Sequence, residues 1–197
     1  MSTRPGRRRA RGTGGRTVKI VVTGPFAAGK TTLIRTVSEI TVLSTERDVS
    51  DSTRARKGET TVAMDFGRIT IDSELVLYLF GTPGQDRFDF MWEILGEGML
   101  GYVLLVDGPT AEAAAAAVGI HAAFGRVAAG HPYVVAVNRC DALVPQDESM
   151  LRSTLGLAPA VPVVACDATD RESVKRVLLA LMHEALDRLE SRQPAGV

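Results

Sequence analysis

One run near the start of the chain limits its fold more than any other. Val18-Lys19-Ile20-Val21-Val22 is rich in β-branched residues and reads as a buried strand. Gly24-Pro25-Phe26-Ala27-Ala28-Gly29-Lys30-Thr31 follows, a gapless match to glycine, four residues, glycine, lysine and threonine, and a helix is predicted from about Lys30 to Ile40. Glycines at both ends let the backbone N–H groups wrap a phosphate, and the helix N-terminus adds positive potential there. Lys30 is placed to reach β- and γ-phosphate oxygens, and the Thr31 hydroxyl suits Mg²⁺. Gly24, Ala27, Ala28, Gly29, Lys30, Thr31 and Thr32 are therefore the expected phosphate-side contacts. The plainer alternative is a glycine turn before a helix, but the flanking strand and helix favour the phosphate loop.

The rest of the chain continues the alternation. Ser44 to Thr60 is polar and without period, so it reads as a long loop, and loops of that length are usually functional. Val62–Ile71 and Glu74–Phe80 read as two strands joined by a turn at Asp72-Ser73. Gly81 to Gly98 reads as a second irregular stretch. Strands follow at Tyr102–Val106, Tyr133–Val137 and Val161–Ala165. Helices are predicted at Thr110–Ala129 with Thr110 as cap, at Gln146–Leu155, and at Asp170–Leu189 with Asp170 preferred over Ser173 as cap. Six strands alternating with helices imply an α/β fold with a mostly parallel sheet covered on both faces. Ligands of such sheets sit at the carboxyl ends of the strands.

Charge divides the chain unevenly. Lys+Arg and Asp+Glu are both 23, yet residues 1–16 hold Arg4, Arg7, Arg8, Arg9, Arg11 and Arg16 and no acid. The body is accordingly acidic, which argues against a nucleic-acid partner. The arginine- and glycine-rich tail is expected to be disordered. It is also expected to make at most a weak, salt-sensitive contact with anionic membrane, with an inert solvated leader as the alternative. No apolar run reaches about 18 residues, so a membrane-spanning helix is not expected. Ser2 and the ending Pro194-Ala195-Gly196-Val197 match neither the myristoylation nor the prenylation pattern. Cys140 and Cys166 cannot form a framework or a metal site alone and read as small buried thiols rather than a redox switch.

Four further segments follow strands or precede one. Asn138-Arg139-Cys140-Asp141 resembles the Asn-Lys-x-Asp motif of small GTPases, with Arg139 in place of lysine. Guanine presents an N–H and an NH₂ side by side, and the Asp141 carboxylate can accept from both. Ala165-Cys166-Asp167-Ala168-Thr169 resembles the Ser-Ala-Lys loop of that family, with Cys166, Asp167 and Ala168 beside the base and the Ala168 N–H facing the guanine carbonyl. Thr61-Val62-Ala63-Met64-Asp65-Phe66 resembles the first switch segment, which makes Thr61 a Mg²⁺ ligand, with Thr60 the fallback. Gly81-Thr82-Pro83-Gly84-Gln85-Asp86-Arg87-Phe88 resembles the second, with the Gly84 N–H on the γ-phosphate and Gln85 orienting the attacking water. Gly81 departs from the pattern, because the family has an aspartate there that holds a Mg²⁺-bound water. Asp65 and Asp107 are the candidates for that duty.

The motifs stand in family order over residues 18–190, and the chain resembles a Ras-like small GTPase of the bacterial conservon type, a relative of the gliding-motility GTPases. The resemblance implies a P-loop NTPase fold, a Ras-like G domain over 17–191 with a six-stranded sheet, a tail at 1–16 and a flexible end at 192–197. It implies a switch that binds GTP or GDP with Mg²⁺ and hydrolyses GTP, with Gln85 and Lys30 catalytic. In relatives an arginine directly before the switch threonine can serve catalysis; here that position is Thr60, so turnover is expected to be slow. Implied partners are a roadblock-fold regulator and a sensor-kinase-like membrane protein, which would hold a cytoplasmic protein at the inner face of the membrane. Phe88, Phe90, Met91 and Trp92 would form a partner surface or, equally, core. The alternatives are a nucleotide-binding module that does not hydrolyse and, with less in its favour, a P-loop small-molecule kinase.

Overall fold

The computed structural model describes residues 16–44, 64–83 and 90–192. Among these, strands and helices follow one another as β1 (Arg16–Thr23), α1 (Lys30–Val37), β2 (Leu43–Ser44), β3 (Asp65–Thr70), β4 (Leu75–Gly81), α2 (Phe90–Gly96), β5 (Gly101–Val106), α3 (Ala111–Val127), β6 (Tyr133–Val137), α4 (Pro145–Leu155), β7 (Val163–Ala165) and α5 (Arg171–Arg192). The sheet order is β2-β3-β4-β1-β5-β6-β7. β1 lies at the centre, parallel to β4 and β5, and β6 and β7 continue the parallel run. β3 is antiparallel to β4, and β2 is antiparallel to β3. The six expected strands are present, and the two-residue β2 makes a seventh at the edge.

Period-two alternation in β1 explains why both faces need cover. Ile20 and Val22 point to one side and pack with Leu33, Ile34 and Val37 of α1 and Val174, Val177 and Leu181 of α5. Val21 points to the other and joins Trp92 of α2, Ile120 and Phe124 of α3, and Leu151 and Leu155 of α4. β5, fully buried, supplies Val103 and Leu105 to the first cluster and Leu104 and Val106 to the second.

Local signals set most element ends. The Thr110 hydroxyl accepts from the Ala113 N–H at 3.2 Å, as its cap position requires. Asp170 caps α5 through the Ser173 N–H at 2.8 Å, while the Ser173 hydroxyl is used elsewhere and accepts from the Asp167 N–H at 2.9 Å. Asp72 Oδ1 accepts from the Glu74 and Leu75 N–H groups and closes the β3–β4 turn.

Three expectations are corrected. α1 ends at Val37 rather than Ile40, because Ser38 turns extended and its hydroxyl bonds to the Ile40 carbonyl and the Arg68 N–H. Arg16, assigned to the tail, is already in β1, where its N–H reaches the Glu74 carbonyl. The stretch read as irregular contains α2. Its Trp92 is buried against Phe124, with ring centroids 6.0 Å apart, and belongs to the core. Phe88 and the tail lie outside the described residues, as does the C-terminus beyond Arg192. No described helix is long and apolar enough to cross a membrane.

Candidate functional site: a phosphate loop at the head of the central strand

The loop between β1 and α1 is shaped by three residues with positive φ: Gly24 at 145°, Ala27 at 63° and Gly29 at 101°. A Cβ on Gly24 would lie 2.2 Å from the Leu105 carbonyl oxygen, and one on Gly29 would lie 2.4 Å from Asn138 Nδ2. Both glycines are thus required by close approach as well as by φ. Ala27 holds a left-handed backbone conformation that is costly for a residue with a side chain, a strain typical of ligand loops. Lys30 is buried, and its ammonium donates to the carbonyls of Gly24 (2.8 Å) and Pro25 (2.7 Å), so it bridges the first turn of α1 back across the loop. Ala28 is buried beneath the loop, whereas Thr32 is exposed.

Thr31 lies on the first turn of α1 beside β3. Its hydroxyl donates to Asp65 Oδ2 at 2.5 Å. The donated proton leaves the lone pairs of Thr31 Oγ1 available, and Mg²⁺ is a hard cation that takes oxygen ligands, so this pair of side chains fits such an ion. Thr82 is anchored by its N–H to the Val22 carbonyl (2.9 Å) and by its hydroxyl to Thr23 Oγ1 (3.0 Å).

The two loops expected to read the base are joined to the phosphate loop through Asn138, which is buried at the end of β6. Its Nδ2 donates to the Ala28 carbonyl at 2.9 Å, and its Oδ1 accepts from the Ala168 N–H at 2.9 Å. Thr36 adds a second tie, its hydroxyl donating to the Ala168 carbonyl at 2.6 Å. One expectation changes here: the Ala168 N–H is engaged by Asn138 and is not aimed at a ligand. Asp141 is exposed beyond β6. Arg139 adopts φ of 54°, and its Nη1 lies 3.0 and 3.1 Å from the two Asp107 carboxylate oxygens. Asp107 thus pairs with Arg139, whereas Asp65 is the carboxylate that accepts from the Thr31 hydroxyl.

Asp167 folds onto its own loop, its Oδ1 accepting from the Thr169 hydroxyl (2.7 Å) and N–H (2.8 Å). Those bonds, the hydroxyl first, hold its carboxyl below the usual range. Cys166 contributes backbone only, since its side chain is fully buried in the core and burial pushes the thiol up to about 11. Thr61, Gly84 and Gln85 lie outside the described residues. A hollow of about 860 Å³ between α2 and α3, lined by Trp92, Glu93, Arg126 and His131 among others, shares no residue with the phosphate loop.

Sequence reading left the residue standing in for the missing aspartate open between two choices. A signal for Asp65 was present: Asp65 and Gly81 are equidistant along the chain from Ser73 in the turn, so a regular hairpin sets them opposite each other.

The doubly covered, mostly parallel sheet and the glycine–lysine–threonine loop at the head of its central strand define a P-loop nucleotide-binding protein. Residues 22–188 match the family described as "Conserved hypothetical ATP binding protein", and the chain belongs to that family. It is also similar to the uncharacterized protein MJ1339 of Methanocaldococcus jannaschii, at 33% identity over 90 residues, which cover 46% of this chain and 51% of that protein. The matched region thus spans about half the length of that curated relative.

Proposed function

We propose that the chain is a guanine-nucleotide switch that binds GTP and GDP with Mg²⁺ and hydrolyses GTP slowly. Asn138 carries the reading. By bonding to Ala28 in the phosphate loop and to Ala168 in the last loop, it ties the start of the Asn138–Asp141 segment to the phosphate loop, which supports reading that segment as part of the same site. A carboxylate at Asp141 is then the group suited to guanine's paired donors. Lys30 and the loop N–H groups bind phosphate, Thr31 orients on the cation, and Gln85 positions water. When bound, Mg²⁺ offsets charge developing on the phosphate oxygens. The family's description names ATP, which makes adenine the competing reading of the base.

The resemblance to conservon-type GTPases extends the proposal to a roadblock-fold regulator and a sensor-kinase-like membrane protein. Together they would keep a cytoplasmic chain at the membrane's inner face, with residues 17–191 as the G domain.

The deciding experiment is identification of the co-purifying nucleotide, followed by competition of ATP against GTP. A site built for two donors should favour GTP by roughly 10⁴-fold. Asp141→Asn should lose GTP affinity and gain xanthine nucleotide affinity. Equal binding of ATP and GTP would overturn the guanine assignment, while Lys30→Ala, which should lose both, tests the phosphate loop separately. Single-turnover hydrolysis with Gln85→Leu tests the switch against a module that only binds.

A further inference from the structure

Tyr102 is the second residue of β5 and Tyr133 the first of β6, so both stand where these parallel strands begin, at the opposite end of the sheet from the phosphate loop. We propose that a hollow there, between α3 and α5, is a second anion site that takes a phosphate group, free or as the monoester of a small molecule. Its volume is about 420 Å³, and Tyr102, His121, Arg126, Tyr133 and Arg188 line it. The inference does not depend on which nucleotide the phosphate loop takes.

Polar groups without partners carry it. Tyr102 and Tyr133 are register partners, and their rings stack with centroids 4.9 Å apart and planes at 7°. Phe124 packs edge-on against Tyr102, which is 2% exposed. The Tyr102 hydroxyl has no hydrogen-bond partner among the described residues. Burial, and then the neighbouring Tyr133, push its pKa upward, so it stays protonated and remains a donor. His121, its ring 5.5 Å from that of Tyr133, has a buried Nδ1 that is likewise unpartnered, and such a group in a native fold needs a reason. A Cβ added to Gly125 of α3 would meet the Tyr102 hydroxyl at 4.0 Å and nothing closer. Packing therefore does not require glycine there, although glycine weakens a helix; its lack of a side chain leaves the hydroxyl reachable from the hollow. Charge then selects the ligand. Arg126 is exposed and makes no ion pair among the described residues. Arg188 is held through Nε by Glu184 at 3.0 Å, and its Nη1 lies 3.5 Å from the Gly130 carbonyl, which fixes the guanidinium at the rim. No carboxylate lines the hollow among the described residues. Two guanidinium groups and a phenol suit an oxyanion bound by charge-assisted hydrogen bonds. The donors come from β5, α3 and α5, so they surround the hollow, and a tetrahedral phosphate accepts from more sides than a planar carboxylate.

The test is tyrosine-ring NMR on the full chain, with Mg²⁺ and excess GDP or, in parallel, ADP to fill the phosphate loop. The chain has three tyrosines, and Tyr78 on β4 lies outside the hollow and serves as the internal control. Inorganic phosphate and methyl phosphate, each at constant ionic strength, should shift the Tyr102 and Tyr133 signals saturably and leave Tyr78 unmoved. Acetate should need at least tenfold higher concentration. Arg126→Gln and Tyr102→Phe, read at Tyr133, should each raise the phosphate midpoint at least fivefold; Arg126→Gln, at an exposed position, decides alone if Tyr102→Phe does not fold. Lys30→Ala should leave the shifts intact, which separates this site from the phosphate loop; their loss there would trace them to the loop and overturn the proposal. Shifts that do not saturate or that Tyr78 shares, acetate as effective as phosphate, or an unchanged midpoint in Arg126→Gln would each overturn it too, and none of these outcomes touches the reading of the nucleotide site.

Discussion

Asn138 does its work with one amide. Its two ends are fixed by different partners, the Ala28 carbonyl and the Ala168 N–H, so the orientation of the amide is set by chemistry. Removing it leaves a buried carbonyl and a buried N–H unpaired, a loss of about 1–3 kcal/mol for each group. Asn138→Ala should therefore weaken nucleotide binding and lower thermal stability together, whereas Asp141→Asn, at an exposed position, should change base selectivity with little effect on the melting temperature. Thermal melts with and without nucleotide separate the two. At this scale the sequence was informative wherever chemistry demands a residue type at a fixed spacing, as in Gly24, Gly29, Lys30 and Thr31. It was uninformative about which donor meets which acceptor. The Ala168 N–H was assigned to a ligand and is spent on Asn138, a pairing that follows only from how closely two loops approach.

Among the elements, the long parallel strands and the capped helices were legible, and α2 was not. Its seven residues, Phe90–Gly96, are too few for periodicity to stand out, and the sequence leaves the aromatic cluster before and within it open between partner surface and core. Burial of Trp92 against Phe124 comes from packing between α2 and α3, which a single-sequence pattern does not reveal. α3 offers a contrast and a test. It is alanine-rich, and its start is fixed by one side-chain cap. Thr110→Ala should cost about 1 kcal/mol. In a domain of this size that lowers the melting temperature by roughly 2–4 °C. Thr110→Ser should restore most of the loss. Calorimetry of the three proteins checks both, and an Ala variant as stable as the parent would mean that the Thr110 hydroxyl contributes nothing to α3.

Across the whole molecule, the two cysteines report on how the sheet is sealed. Cys140 and Cys166 are both buried and free, and the Cys140 N–H donates to the Cys166 carbonyl at 3.1 Å, linking the loops that follow β6 and β7. Burial raises both thiols, Cys166 to about 11. The folded chain then keeps these protons to higher pH than the unfolded chain, whose thiols ionise near about 8.5. Their contribution to stability is complete below that pH and is lost as pH rises toward the folded values. Urea midpoints should therefore fall between about pH 8.5 and 10.5 more steeply in the parent than in Cys140→Ala/Cys166→Ala. In the native state at neutral pH neither thiol should react with a thiol reagent at the rate of a free cysteine, and both should react in urea. A fast native reaction would place at least one of them in an open, electropositive setting.

The pairing of Asp65 with Gly81 also has a historical consequence. The two positions are coupled: a side chain at 81 would bring its Cβ within 3.1 Å of the Asp65 Cβ, so Asp65 would have to shift, and losing the acid at 65 leaves Thr31 without its acceptor. Either single step is disfavoured, so the two positions are expected to change together. Among related chains, an acidic residue at one of these positions should accompany a small, uncharged residue at the other.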